Sequence, residues 1–218
     1  MKSNEDLQRD VQNAIKWEPL LHAAEIGVTA IDGVVTLTGT VDSYAKKYEA
    51  EEAAKKVHGL KALVEKIEIK FSSTWKKDDT EIATEILNVL KSEWEIPNDD
   101  IIVKVENGWV RLDGEVQWNY QREAAKKVVK QLSGVLGVTN DIKLSAETHD
   151  AIEKKDIQDA LTRNWSISEQ DIDVKVLGNK VTLNGTVDSY YQRDEAGRIA
   201  WNAPGVISVD NELVVEFN

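Results

Sequence analysis

The chain has 218 residues, 41% of them hydrophobic and 30% charged, the balance of a folded rather than a disordered protein. Its 39 acidic residues against 27 basic ones leave a formal charge of −12. Acidity deepens along the chain, from −2 over residues 1–72 to −4 over 73–149 and −6 over 150–218. That balance excludes nucleic-acid binding built on phosphate neutralisation and opposes unaided adsorption to an anionic membrane.

Cysteine is absent, so disulfides, thiolate nucleophiles and sulfur-ligated metals are excluded. No apolar run reaches the roughly 18 residues a transmembrane helix needs. The opening MKSNEDLQRD carries acids where a secretion signal would carry an apolar stretch. The expected compartment is the cytoplasm, or the periplasm if a leader has been removed.

Internal repetition organises the chain. TLTGTVDSY at 36–44 recurs as TLNGTVDSY at 182–190, and a middle copy lies between them in register. The first copy aligns on the second at a shift of 75 and the second on the third at a shift of 71. Each copy opens with apolar residues at helical spacing: Leu7, Val11, Ala14 and Ile15, then Ile82, Ile86, Val89 and Leu90, then Ile157 and Leu161. A period of two follows at Ile26, Val28 and Ala30, at Ile101, Val103 and Val105, and at Ile172, Val174 and Val176, which predicts a half-buried strand. Asp32-Gly33, Asn107-Gly108 and Gly178-Asn179 tolerate positive φ and so predict a hairpin into a second, antiparallel strand. The inward face of that strand is Val35, Leu37 and Val41, Val110, Leu112 and Val116, or Val181, Leu183 and Val187.

A second helix carries its stripe at Ala50, Ala53, Ala54 and Val57, at Ala125, Val128, Val129 and Leu132, and at Ile199 and Ala203 beside Ala196 and Ala200. It stops at Gly59, Gly134 and Gly205, where a left-handed residue costs glycine least. A last strand follows at Leu63, Ile67 and Ile69, at Val138, Ile142 and Leu144, and at Val209, Leu213 and Val215. The crossover through the second helix makes it parallel to the second strand and leaves the strand order open. The predicted fold class is α+β: three tandem αββαβ domains over 1–72, 78–146 and 149–218, each a small three-stranded mixed sheet covered by two helices. Short polar linkers near 72–79 and 145–150 join them.

The strand GVVTLTGTV at 33–41, its partner GWVRLDGEV at 108–116 and NKVTLNGTV at 179–187, each with a further glycine 20 residues after its own Gly39, Gly114 or Gly185, resemble the BON domain, the bacterial osmotically inducible and nodulation domain. The third copy lacks the first glycine of the motif. The resemblance implies a non-catalytic module associated with osmotic or envelope stress that binds phospholipid or other envelope components. It maps the family glycine to Gly39, Gly114 and Gly185 as candidate ligand contacts. It also leaves open an ion-responsive sensor of the potassium type, or a protein-interaction module. The expected ligand is thus phospholipid, a monovalent cation or a protein, with no cofactor.

The residues themselves favour a scaffold role for Gly39, Gly114 and Gly185, because the polar residues beside them, Thr38, Asp113 and Asn184, vary while the glycine does not. His22, His58 and His149 occupy unrelated positions, so no shared metal or acid-base pair is indicated. No nucleophile-base set carries motif support, and no enzyme is expected. Trp94 and Trp165 recur after the first helix and are expected to cap the core. Trp109 is out of phase with Val110 and Leu112 and should face away from the helices. Lys47, Arg122 and Arg193 recur near the start of the second helix, as a solvated face or an anion site.

Overall fold

The side-chain periods along the chain become αββαβ units in the computed structural model, which describes residues 2–21, 26–71, 77–145, 152, 154–167 and 171–216. In the first unit α1 (Asn4–Lys16) starts at Ser3, whose hydroxyl accepts from the Asp6 N–H at 3.1 Å. Glu5 and Asp6 lie in its first turn and Lys16 in its last, each complementing the helix dipole. Its buried face is Leu7, Val11 and Ile15. β1 (Ile26–Ile31) turns through Asp32 and Gly33 (φ 51° and 85°) into antiparallel β2 (Val34–Val41). α2 (Tyr44–Lys55) and β3 (Ala62–Ile69) complete it, and the sheet order is β1-β2-β3.

The second unit runs α3 (Asp79–Ser92), β4 (Ile101–Glu106), β5 (Trp109–Val116), α4 (Asn119–Val129), β6 (Gly137–Asn140) and β7 (Lys143–Leu144). α3 has a reciprocal cap: Asp78 accepts from the Glu81 N–H at 2.8 Å and Glu81 accepts from the Asp78 N–H at 2.9 Å. The third unit runs α5 (Lys154–Arg163), β8 (Ile172–Leu177), β9 (Lys180–Val187), α6 (Tyr190–Trp201), β10 (Ser208–Asn211) and β11 (Val214–Val215). β5 and β9 are central, antiparallel to the strand before them and parallel to the two short strands after them. Among the described residues no strand pairs with a strand of another repeat.

All nine residues predicted for the inward face of the second strand are buried. Leu37, Leu112 and Leu183 have no exposed surface at all, and each contributes about 2–3 kcal/mol by leaving water. Ala50, Ala53 and Ala54, Ala125 and Val129, and Ala196 and Ala200 meet them from the second helix. The small alanines allow close helix-to-sheet approach.

The single last strand predicted for each repeat holds only in the first; in the other two it is broken. Asn140 and Asn211 mark the break. The Asn140 Nδ2 donates to the Arg122 carbonyl at 2.9 Å and its Oδ1 accepts from the Ile142 N–H at 3.4 Å. Asn211 repeats this with the Arg193 carbonyl at 2.7 Å and the Leu213 N–H at 3.3 Å. The amide thus stands in for ladder bonds lost at the bulge and ties the strand to the second helix. In the first repeat Glu65 takes this position and accepts from the Ile67 N–H.

Residues 1–40, 48–68 and 150–218 form one compact unit, and residues 41–47 with 69–149 another. In the former the first and third repeats meet: the His58 Nδ1–H donates to the Asp188 carbonyl at 2.8 Å, and the Tyr190 hydroxyl donates to the Lys61 carbonyl at 2.7 Å. In the latter Tyr44 packs against the core of the middle repeat. The predicted linkers lie mostly outside the described residues, as do His22 and His149.

Removing the strand-break amide tests this account. Asn211→Ala deletes both side-chain bonds, to the half-buried Arg193 carbonyl and from the Leu213 N–H, so it should cost about 1–2 kcal/mol, read as a lower midpoint in urea with unchanged slope.

Candidate functional site

Gly39, Gly114 and Gly185 each lie in their own sheet, opposite the first residue of the preceding strand: Ile26, Ile101 and Ile172. Their φ values are 130°, 126° and 130°, a conformation that L side chains rarely adopt. A Cβ on Gly114 would stand 2.0 Å from the Asp100 carbonyl oxygen, and one on Gly185 2.0 Å from that of Asp171. Backbone geometry and close approach therefore demand glycine here. The recurring basic residue has a structural use in the third repeat, where the Arg193 Nη2 donates to the Asn211 carbonyl at 3.1 Å. Arg122 is half-buried against Glu123, and burial lowers its pKa against that neighbour's pull.

The tryptophans correct the expectation of core capping. Trp94 and Trp165 are 87% and 88% exposed. The turn after the first helix explains this: the Ile96 N–H donates to the Glu93 carbonyl and the Ile167 N–H to the Asn164 carbonyl, both at 3.1 Å. Ile96 and Ile167 drop into the core, and the tryptophan is left at the apex. In the first repeat Leu21 makes the same bond to Glu18 at 3.0 Å, Leu20 is exposed, and Trp17, one residue past α1, is 84% exposed. Trp17 escaped the sequence reading because it sits two positions out of register with Trp94 and Trp165. The signal that finds all three is a core position already filled by Leu21, Ile96 or Ile167. Trp109 faces away from the helices as expected, and its ring lies over Gly137 on the neighbouring strand.

Among the described residues several charged groups form ion pairs. Arg198 donates from Nε and Nη2 to the two carboxylate oxygens of Glu195 at 2.7 and 2.6 Å, which lowers the Glu195 pKa and raises that of Arg198. Where the first and third repeats meet, Lys55 lies 3.0 Å from both Glu51 and Glu52 and 4.0 Å from Asp194. Burial acts to lower the Lys55 pKa, but Glu52 and Glu51 outweigh it and hold the ammonium above its ordinary value. Burial is also the main reason the Asp194 carboxyl is pushed up; Lys55 opposes it and Glu52 and Glu51 add to it. Among the described residues no three His, Asp or Glu side chains converge as a metal site, and no helix is long and apolar enough to cross a membrane.

A small mixed sheet under two helices, of three strands in the first repeat and four in the others, with a glycine fixed at the end of its central strand and aromatic rings displayed at its rim, defines a small α+β module repeated three times. The chain belongs to the BON domain family: residues 3–70, 78–146 and 149–216 each match the model of the BON domain. It is similar to osmotically-inducible protein Y of Escherichia coli (strain K12), 30% identical over 127 residues. The match covers 56% of this chain and 63% of that protein, so the chain spans less than two thirds of its relative. Among solved structures it aligns with CdsD, a structural protein of the type III secretion system of Chlamydia trachomatis, at 16% identity and a TM-score of 0.24, over 97% of this chain and 92% of that one. A structure of the C-terminal domain of CdsD aligns at 16% identity and a TM-score of 0.25, over 99% of this chain and all of that one.

Two measurements follow. Gly114→Val should destabilise the middle repeat by about 3 kcal/mol through strain and collision with Asp100; an unchanged melting temperature would return the glycine to the role of ligand contact. Asp194→Asn should raise the melting temperature slightly at neutral pH, the effect kept small because 56% of the Asp194 side chain is open to water. Because the folded-state pKa of Asp194 is raised, its ionised form opposes folding above that pKa. The opposition disappears as pH falls below the ordinary carboxylate value near 4, so the gain should vanish in acid.

Proposed function

We propose that the protein is a non-catalytic binding protein of the osmotic stress response whose repeats seat on phospholipid surfaces poor in net negative charge. One observation carries the reading: each repeat holds a tryptophan more than four-fifths exposed after its first helix, Trp17, Trp94 and Trp165. A tryptophan ring is most stable at the headgroup level of a bilayer, where its body is apolar and its N–H is wet. Glu93 and Glu95 flank Trp94. Those carboxylates resist deep burial but suit the ammonium of a zwitterionic headgroup resting on the ring face. The charge of −12 turns away anionic surfaces and so supplies selectivity. The association with osmotic stress is supported by family membership and by the Escherichia coli relative.

Phosphatidylcholine vesicles should shift the tryptophan emission to the blue and co-sediment the protein, whereas purely phosphatidylglycerol vesicles at low salt should do neither. Trp17→Ala, Trp94→Ala and Trp165→Ala should each weaken the partitioning about fivefold to tenfold, the effect of withdrawing one buried ring. Unshifted emission with both vesicle types, or three variants that bind as the unmodified protein does, would refute the proposal.

A further inference from the structure

Between α5 and α6 of the third repeat lies an open groove of about 490 Å³, lined by the apolar Ile157, Ala160, Ile199 and Ala203 and by the charged Asp156, Arg163 and Arg198. The volume falls within the roughly 300–1,000 Å³ usual for small-molecule sites. The helices run antiparallel along it: the Asn164 Nδ2 donates to Glu195 at 2.8 Å at one end, while Asp156 shares the other with Asn202, Ala203 and Pro204. Charge is therefore divided lengthwise. Arg163 and Arg198 stand at the end of α5, Asp156 stands two helical turns away in its first turn, and an aliphatic lining separates them.

The repeats explain why the groove is open here. At the positions of Ala160 and Ala203 the middle repeat carries the larger Val89 and Leu132. At the positions of Asn164 and Asn202 the first repeat carries Glu18 and Lys56, which bridge at 3.1 Å. In the third repeat Asn164 is drawn away instead, toward Glu195 and toward Ser166, from whose hydroxyl and N–H its Oδ1 accepts at 2.7 and 3.0 Å. Arg163 replaces Ser92 of the middle repeat. It is exposed and pairs with no carboxylate among the described residues. Arg198 is already held on two of its donors by Glu195, so its guanidinium is fixed in place.

We propose that this groove binds a short unblocked peptide with small apolar side chains, its carboxylate on Arg163 and Arg198 and its ammonium on Asp156. Length supports the match, because seven residues of α5 separate Asp156 from Arg163, on the order of 10 Å. An extended tripeptide spans about the same. Glu195 offsets the charge of Arg198, which leaves a net single positive charge at this end against the single negative charge of Asp156 at the other, and a zwitterion satisfies both. The site is independent of the exposed tryptophans.

The test is calorimetric titration of the full chain with trialanine, beside N-acetyl-trialanine and trialanine amide. Saturable binding at one site is expected, with each blocked peptide at least tenfold weaker. Arg163→Ser should weaken trialanine about tenfold. Ala160→Val with Ala203→Leu, which installs the residues of the middle repeat, should abolish binding while circular dichroism stays unchanged. If that double variant does not fold, Arg163→Ser and the blocked peptides decide. Absence of saturation with trialanine, equal binding of the blocked peptides, or undiminished binding to a folded double variant or to Arg163→Ser would overturn the proposal.

Discussion

Each repeat depends on one strand being hydrogen-bonded along both edges while one of its faces is buried under two helices. β5 shows the constraint most completely, with β4 antiparallel on one side and β6 and β7 parallel on the other. Val110, Leu112 and Val116 can stay dry only if that register is held, because a slip of one residue would turn all three to solvent. The other features of the repeat serve that register. The positive-φ turn at Asn107 and Gly108 sets it at one end. Gly114 lets the Asp100 backbone approach at the other, and the Asn140 amide bridges the gap where the parallel partner breaks.

Much of this was legible in the sequence because a buried face imposes a period. The alternation of Val35, Leu37 and Val41 and the helical spacing of Ala50, Ala53 and Ala54 gave the elements, and repetition at shifts of 75 and 71 residues gave their order. The central place of the second strand was not legible, since the crossover rule sets direction and not neighbours. The break after Asn140 and Asn211 was hidden for a different reason. Val138, Ile142 and Leu144 keep even spacing across it, so the pattern shows no gap even though the ladder has one.

The surface was harder to read than the core. Trp94 and Trp165 recur in register, and recurrence of a large aromatic suggests packing; the turn in which they lie sends Ile96 and Ile167 inward instead. The α5–α6 groove is written in the sequence only as two alanines where another repeat has valine and leucine. Such a difference gains meaning once both helices are known to face each other at those positions. The strand glycines answer a backbone need that repetition alone suggests, and at Gly114 and Gly185 the carbonyl oxygens of Asp100 and Asp171 supply its physical cause.

The meeting of the first and third repeats through His58, Asp188, Tyr190 and Lys61 has a consequence for how the chain comes into being. Residues 1–68 leave the ribosome well before residues 150–218, so the first repeat must fold while the surface it will share is still unmade. Closing that surface afterwards means bringing together segments far apart in sequence, a slow step whose entropic cost grows only weakly with the length between them. Until then Lys55 has Glu51 and Glu52 as neighbours but not Asp194. The charges of Lys55, Glu51 and Glu52 are thus already balanced against one another within the first repeat before the third is made.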